Sequence, residues 1–411
     1  MRHLKSKLAK STLAGALFFA PAQMISFAAL AQSSPVVLTF STVGDSRQDP
    51  VTYDKASVGE TLSGQDAKWL QSTKAFSRIL ASIQAQKSKI LFFNGDMIHG
   101  YGIAGIGYTS NLDQSQINGT KGNNVAPIGP VSTADIIKSD LLKFYQQYAF
   151  WRGMIAPMME AGTYVMPVPG NHETQCKPCG KVARPENEEA WSDNMGDLIV
   201  DTARFMSLMG EAPQNVTLGP IAGASPDGLT TDQSKLSYSF DSKGAHFSVI
   251  NTDAVGKDAM APTKWLAADF QAAKARGIKR FFVFGHKPAF TYNYLASGEV
   301  ELGGLDAVPA NLAARDAFWD VIEAYEATYF SGHEHVYNIS QPRGKAYQVI
   351  VGSGGSPFDA KAGTALRAPA TDRTYAWATV NLHQDASAEI ITYGFDEKFG
   401  ETRQLNEIKL R

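Results

Sequence analysis

Five short apolar runs recur along the chain, and each is followed directly by glycine or by polar side chains. They lie at residues 36–43, 90–93, 164–168, 281–284 and 328–330. Runs of this length that are rich in β-branched and aromatic residues are typical of buried β-strands. The sequence therefore predicts strands whose carboxyl ends each present a polar residue.

Longer segments with a helical period separate the first three runs. Residues 66–86 and 134–161 both carry apolar side chains at the spacing of one helix face. Alternating strands and helices predict an α/β core. Residues 238–253 predict a hairpin around Ser242-Lys243-Gly244, and residues 347–351 and 377–382 predict further strands. A second sheet is therefore expected.

Two segments carry no regular pattern. Residues 100–133 are rich in Gly, Asn and Ser, and residues 174–234 contain both cysteines and several prolines. Each follows a predicted strand and its polar residue directly, so both are expected to form the rim of a site at the strand ends.

The first residues have the pattern of a secretory signal peptide. Basic side chains precede an apolar stretch at residues 13–30, which ends in small residues before Gln32. A membrane anchor is the alternative, but Pro21 and Gln23 interrupt the stretch. We expect cleavage after Ala31, export to the periplasm or medium, no remaining membrane anchor, and a single domain from residue 32 to residue 411.

Charge argues against binding to a nucleic-acid polymer. The chain has 38 Lys and Arg against 40 Asp and Glu. The predicted signal carries four of the basic residues and no acid, so 34 basic residues face 40 acidic ones in the mature chain, a net charge of −6. A protein that binds the phosphate backbone would be basic.

The only two cysteines form a C-x-x-C pattern at Cys176 and Cys179. In an exported protein this spacing favours a local disulfide. Redox catalysis and a zinc site are the alternatives, but no second pair of cysteines completes a tetrahedral zinc site.

The residues that end the apolar runs are the ligands that two metal ions need. Of the eight histidines, four lie in the blocks Gly-Asn-His-Glu, Gly-His-Lys-Pro and Gly-His-Glu-His. His246 and His383 stand beside no such block and are interpreted as structural. Two metals that hydrolyse a phosphoester need a bridging carboxylate together with oxygen and imidazole ligands. The candidate ligands are Asp45, Asp96, Asn171, His286, His333 and His335.

This order of motifs resembles the calcineurin-like metallophosphoesterases, and within them the purple-acid-phosphatase-like branch. The resemblance covers residues 36–357 and includes His286-Lys-Pro-Ala-Phe and Val351-Gly-Ser-Gly-Gly. It implies a four-layer αββα sandwich of two mixed sheets flanked by helices. It also implies the following roles: the first metal is bound by Asp45 and His335, Asp96 bridges, the second metal is bound by Asn171, His286 and His333, and His172 is a phosphate-binding acid oriented by Glu173.

The first metal lacks two ligands that are usual in this family. The chain has Asp45-Ser46-Arg47 where many members have Asp-x-His, and His99 where purple acid phosphatases have tyrosine. His99 is a candidate ligand, or else a loop histidine that faces water or phosphate. Arg47 is a candidate for holding a substrate oxygen. Without the tyrosine, divalent Mn, Zn or Fe(II) is expected rather than ferric iron.

The expected activity is hydrolysis of a phosphate monoester by hydroxide held between the two metals. Three alternatives differ from it. The first is a phosphodiesterase that acts on cyclic nucleotides or phospholipids. The second is a hydrolase that stacks a nucleotide base on Tyr292, Tyr294 or Trp191. The third is a non-catalytic metal protein that binds a small phosphorylated ligand.

Overall fold

Two large β-sheets contain most of the strands in the computed structural model of the protein. The structure describes residues 34–49, 71–104, 133, 139–292, 303–358 and 373–411. Residues 35–411 form one compact unit. The strands are β1 Val36–Val43, β2 Ile90–Phe93, β3 Tyr164–Pro167, β4 Gln175–Cys176, β5 Val182–Ala183, β6 Gln214–Leu218, β7 Tyr238–Ser242, β8 Ala245–Val249, β9 Asp253–Ala254, β10 Lys257–Asp258, β11 Arg280–Phe284, β12 Thr328–Ser331, β13 Tyr337–Ser340, β14 Gln348–Val351, β15 Thr374–His383, β16 Ala388–Asp396 and β17 Arg403–Leu410.

The helices of the described residues lie mostly between these strands in the chain. Two single 3₁₀ turns, Gly196–Leu198 and Pro309–Asn311, accompany them. The α-helices are α1 Gln71–Ala85, α2 Asp140–Glu160, α3 Asn171–Thr174, α4 Pro185–Met195, α5 Thr202–Met209, α6 Thr263–Ala275 and α7 Leu312–Ala324.

Both large sheets are mixed. The six-stranded sheet has the order β17-β16-β15-β1-β2-β3, with β1, β2 and β3 parallel and the others antiparallel. The seven-stranded sheet has the order β13-β14-β12-β11-β8-β7-β6, with β14, β12, β11 and β8 parallel. The parallel strands are neighbours within each sheet, so their carboxyl ends share one edge.

Phenylalanines from both sheets form the core between them. Phe40 of β1 lies 5.0 Å from Phe282 of β11, and Phe92 of β2 stacks on Phe284 at 3.7 Å between ring centroids. Successive side chains of a strand point to opposite faces. Their neighbours therefore face outward, and the two sheets pack face to face.

Helices cover the two outer faces. Phe93 of β2 packs with helices α1 and α2 in one apolar cluster. Phe281 and Val283 of β11 pack with α6 and α7 in another. The layers are helix, sheet, sheet, helix, so the predicted four-layer αββα sandwich is confirmed.

The predicted strands agree with the structure to within one residue at most ends, and the hairpin of β7 and β8 turns at Lys243-Gly244 as expected. Residues 174–234, where the sequence shows no regular pattern, contain α4, α5 and β4 to β6; their place at the rim of the site stays a prediction. Helix α4 is mostly polar and buries only a few side chains, among them Trp191, so its period is weak. Residues 105–132 of the other predicted rim lie outside the described residues.

The described helices include none that is both long and apolar enough to cross a membrane. The predicted signal peptide at residues 1–31 lies outside the described residues.

Candidate metal centre

The carboxyl ends of parallel strands from both sheets meet at one place. Asp45 follows β1, Asp96 follows β2 and Asn171 follows β3, whereas His286 follows β11 and His333 follows β12. Backbone bonds join the turns within the first sheet, with Asp45 N donating to Gly95 O at 2.9 Å. The shared edge of parallel strands thus gathers residues that are far apart in sequence.

Hydrogen bonds between the two sheets fix this arrangement. The backbone N–H of His333 lies 3.0 Å from each carboxylate oxygen of Asp45. His286 Nδ1 lies 2.7 Å from the carbonyl oxygen of Asn94. The candidate ligands are therefore held by the junction of the sheets rather than by a flexible loop.

Two groups of candidate ligands share one carboxylate. Asp96, His286 and His333 form the first group, and Asp45, Asp96 and His335 form the second; within each group the ligand atoms lie within 4.8 Å of one another. A carboxylate common to two such groups has the position of a bridging ligand. The structure thus brings together five of the residues predicted from the sequence.

Asn171 joins the group of His286 and His333. Its amide oxygen lies 2.8 Å from His286 Nε2 and 2.7 Å from His333 Nδ1. An amide oxygen and two imidazole nitrogens thus converge on a common point. This is the geometry of ligands around a cation.

Carbonyl partners set which ring nitrogen of two histidines faces the centre. His286 donates Nδ1–H to Asn94 O, and His335 donates Nδ1–H to Pro357 O at 2.7 Å. In each ring Nε2 is thereby turned into the site. Such a backbone partner is the usual orienting contact of a metal-binding histidine.

Three candidate ligands have left-handed backbone conformations. The φ angles are 63° at Asp45, 52° at Asp96 and 69° at His333. Side chains other than glycine adopt this region at a cost, although Asp and His tolerate it better than most. The cross-sheet bonds of Asp45 and His333 hold these conformations in place.

Two glycines allow the turns to approach so closely. A Cβ atom at Gly332 would lie 2.1 Å from Asp45 Oδ2. One at Gly170 would lie 2.4 Å from the backbone nitrogen of Asp96. Any other residue at either position would push the ligands apart.

The buried charges of the centre are unequal. Burial raises the pKa of Asp45, and the neighbouring Asp96 adds to this. Burial opposes ionisation of Asp96 as well, but His172 and His286 hold its pKa well below the ordinary value. Burial lowers the pKa of His286, yet Asp96 and Asp45 outweigh burial and raise it to about 9. Asp96 is therefore the anionic centre of the cluster.

The residues present fit two divalent ions. Among the described residues, nothing forms a hydrogen bond with the buried atoms Asp96 Oδ2 and His172 Nε2. Buried polar atoms without partners are rare, and they mark places where a ligand or ion completes the bonding. Carboxylate, amide oxygen and imidazole suit Mn, Zn and Fe(II).

Glu173 does not orient His172, and this expectation was wrong. Its carboxylate instead accepts the backbone N–H groups of Asp96, Met97, Ile98 and Gly170, at 2.7 to 3.2 Å. Burial, with Asp96 nearby, raises the pKa of Glu173 to about 7, while these N–H groups favour the ionised form. Glu173 is a positioning residue for the segment that carries Asp96.

His172 and Arg47 border the bridging carboxylate. His172 donates Nδ1–H to the carbonyl of His99, and its Nε2 lies 3.6 Å from Asp96 Oδ2. Burial and Arg47 lower the pKa of His172, so the imidazole is neutral and Nε2 is an acceptor. The half-exposed Arg47 has its Nε 3.9 Å from Asp96 Oδ2.

Three sequence-based candidates occupy other positions. His99 belongs to neither group of candidate ligands among the described residues; its carbonyl holds His172, and its ring centroid lies 6.1 Å from that of His172. Trp191 is fully buried and donates to Lys235 O, so it offers no base-stacking surface. Tyr292 packs against Val336 and Ile350, and Tyr294 lies outside the described residues.

The structure also places one residue that the sequence reasoning missed. Tyr101 accepts a hydrogen bond from Asn171 Nδ2, and its ring lies 3.8 Å from that of His172 between centroids. Burial raises the pKa of Tyr101, and Asp96 adds to this, so the hydroxyl stays neutral. The sequence did contain a signal for this role. Tyr101 lies only two residues after position 99, where purple acid phosphatases have their tyrosine and this chain has His99.

The two cysteines near Tyr101 form the expected disulfide, Cys176–Cys179. The disulfide segment contacts Tyr101 directly, because Lys177 N donates to Tyr101 O at 3.0 Å.

Comparison with solved structures agrees with the fold. A purple acid phosphatase from yellow lupin (Lupinus luteus) seeds is similar over 92% of this chain and 54% of its own, with a TM-score of 0.51 and 12% identity. The chain has a metallophosphoesterase fold. It spans about half the length of the lupin protein. The resemblance inferred from the motifs is thus confirmed for the fold.

Two further structures are similar at lower scores. A dimetal phosphatase from Danio rerio matches 92% of this chain and 99% of its own (TM-score 0.47, 11% identity). A 5'-nucleotidase from Candida albicans matches 89% of this chain and 53% of its own (TM-score 0.39, 12% identity). Neither a family model nor a curated protein matches the sequence. The residues of the site therefore carry the evidence for function.

Proposed function

We propose that the protein is an exported phosphoester hydrolase with two divalent metals, and that it acts on a small phosphate monoester. The observation that carries the proposal is the pair of ligand groups that share Asp96. Asp45, Asp96 and His335 would hold one ion, and Asp96, Asn171, His286 and His333 the other. When bound, two such ions activate water and neutralise charge on a transferring phosphoryl group.

The charge of the centre supports a phosphorylated substrate. Two divalent ions bring four positive charges, and Asp45 and Asp96 bring two negative ones, so the centre keeps about two positive charges. Arg47 adds a guanidinium beside Asp96 Oδ2. Its fork of donors suits phosphate oxygens, so we assign it to holding a substrate oxygen.

His172 would move a proton. Its Nδ1–H is fixed by the carbonyl of His99, so a proton can be gained or given only at Nε2. Nε2 is buried 3.6 Å from Asp96 Oδ2 and has no hydrogen-bond partner among the described residues. We assign to Nε2 the uptake of the proton of a phosphate monoester monoanion when the substrate binds, and the transfer of that proton to the oxygen of the leaving alcohol as its bond to phosphorus breaks.

The activity test compares two substrates on the metal-loaded chain. Apo protein that begins at Gln32 is reloaded with Mn, Zn or Fe(II), and kcat/KM is measured for p-nitrophenyl phosphate and bis(p-nitrophenyl) phosphate. The proposal expects a preference for the monoester. A preference for the diester would replace it with a phosphodiesterase, and inactivity toward both at two bound metals would favour a binding protein.

Replacement of His172 tests the site itself. His172→Ala should keep two metals and lower kcat by about 10²- to 10⁴-fold, the usual contribution of general acid–base catalysis. Asp269→Asn is the matched control, since Asp269 is buried away from the centre beside His246. Unchanged kcat in His172→Ala would remove His172 from the mechanism.

Export is tested separately. The signal pattern of residues 1–31 supports it, and the chain recovered from the periplasmic or culture fraction should begin at Gln32. An intact N-terminus in the cytoplasmic fraction would contradict export.

A further inference from the structure

We propose that Tyr101 is the residue that turns the Asn171 amide so that its oxygen, not its nitrogen, faces the second metal. The inference deepens the proposed function and rests on its metal centre, although not on the reaction. It concerns a positioning role that the sequence motifs do not show.

The two ends of the Asn171 amide have opposite surroundings. The oxygen lies 2.8 Å from His286 Nε2 and 2.7 Å from His333 Nδ1. The nitrogen donates to the hydroxyl oxygen of Tyr101. Only the oxygen has a lone pair for a metal, so a flipped amide would present two hydrogens to the ion. An acceptor at the far end of the amide stabilises the binding orientation.

The position of Tyr101 is itself fixed. Its backbone N–H donates to the carbonyl of His172 at 3.1 Å, and its carbonyl accepts from Lys177 N. Its φ angle is 69°, which few residues of this size adopt. A tyrosine held in this way by the Asn171 helix and by the segment that follows it is a rigid partner for the amide.

The aromatic ring and the hydroxyl have separable contacts. The ring packs on His172, whereas the hydroxyl contacts Asn171. Tyr101→Phe therefore removes the contact with the amide and keeps the packing. Outer contacts that orient metal ligands typically contribute 10- to 100-fold to metal affinity.

The test is a manganese titration of the apo protein with stepwise affinities. In Tyr101→Phe we expect one of the two affinities to fall by about 10- to 100-fold and the other to stay unchanged. When Tyr101→Phe is added to His335→Ala, which weakens the first metal site, the same fall in affinity should be seen. In an Asn171→Ala background it should vanish, because no amide is left to orient.

The control is Tyr238→Phe, which removes another buried hydroxyl contact, to Pro167 O at 3.1 Å in the core between the sheets. Its two affinities should equal those of the wild type. Melting curves of the apo variants separate metal loss from a folding defect.

Four results would overturn the inference: unchanged affinities in Tyr101→Phe, an equal loss at both metals, a loss that adds fully to that of Asn171→Ala, or an iron-loaded protein with a phenolate absorption band that Tyr101→Phe abolishes. The last result would make Tyr101 a ligand. Because the titration uses no substrate, a wild type that binds two metals but hydrolyses nothing would sink only the proposed function. Unchanged affinities in an active enzyme would sink only the role of Tyr101.

Discussion

Two buried clusters of histidine and aspartate differ in how their polar atoms are satisfied. In the seven-stranded sheet, His246 Nδ1 lies 2.6 Å from Asp241 and Nε2 lies 2.8 Å from Asp269. The remaining carboxylate oxygens accept from Arg276 and Ser239 among others. At the metal centre, by contrast, buried ligand atoms converge, and Asp96 Oδ2 has no hydrogen-bond partner among the described residues.

The difference separates a structural cluster from a site. A fully bonded network stabilises the fold and needs nothing further. At the metal centre, the buried atoms Asp96 Oδ2 and His172 Nε2 have no hydrogen-bond partner among the described residues, so an ion or ligand is needed to complete their bonding. Both clusters contain histidine and aspartate, so composition does not distinguish them. The hydrogen-bond partners of their buried polar atoms do.

The pKa shifts of His246 and His333 also distinguish the structural cluster from the metal centre. Burial disfavours the charged form of His246, but the bonds to Asp241 and Asp269 outweigh burial and raise its pKa. Burial lowers the pKa of His333, and His286 and Lys287 lower it further. His246 is thus held as a cation, whereas His333 is kept neutral with a lone pair for a metal.

Asp96→Asn should cause the largest loss of activity and of bound metal. Loss of the shared carboxylate loosens both ions, so the fall in kcat/KM should exceed the about 10- to 100-fold that follows loss of an outer contact of a metal site. Metal content after dialysis, measured beside activity, checks this. Asp269→Asn is the control and should keep both metals. Metal that survives Asp96→Asn would contradict the bridging role.

His246→Ala should lower the stability of the fold and leave the metal centre intact. Removal of one partner of a buried ion pair costs about 3–5 kcal/mol of unfolding free energy, because the carboxylates are left unpaired. Metal content and activity of the remaining folded protein should stay unchanged. Urea unfolding of the apo protein measures the cost, and loss of metal in this variant would erase the distinction between the clusters.

The contribution of His246 should depend on pH. A pKa raised in the folded state gives stability that is full below the ordinary value of 6.5 and is lost as pH rises through the folded value. The difference in unfolding free energy between wild type and His246→Gln should therefore shrink toward alkaline pH. A difference that grows with pH would show that His246 is buried as the neutral form.

The smallest effect is expected from the disulfide. Joint replacement of Cys176 and Cys179 by serine opens a short loop, and the cost in unfolding free energy should be at most about 2 kcal/mol. Because Lys177 N binds Tyr101 O, one metal affinity should also weaken slightly. An unchanged manganese titration would show that the backbone holds Tyr101 without the disulfide.

The sequence predicted what depends on local patterns. Buried strands such as Ile90–Phe93 are apolar throughout, and glycine turns place Asp96 and His286 directly after them. It missed β17 Arg403–Leu410, because this edge strand is largely exposed and polar and has no apolar period.

Within the site, the sequence indicated ligands but not their outer contacts. Glu173 follows His172 in the chain, yet its carboxylate turns toward the backbone of Asp96 and Met97. Tyr101 reaches Asn171 across 70 positions. Contacts of this kind form where the turns after different strands meet, so the local spacing of residues in the sequence does not predict them.

The most direct test of the shared carboxylate is a crystal structure of manganese-loaded protein with anomalous scattering at the metal. The account predicts two peaks about 3.5 to 4 Å apart, one on each side of Asp96, with Asn171 Oδ1 against one of them and His335 Nε2 against the other. A single peak, or two peaks that do not share Asp96, would contradict it.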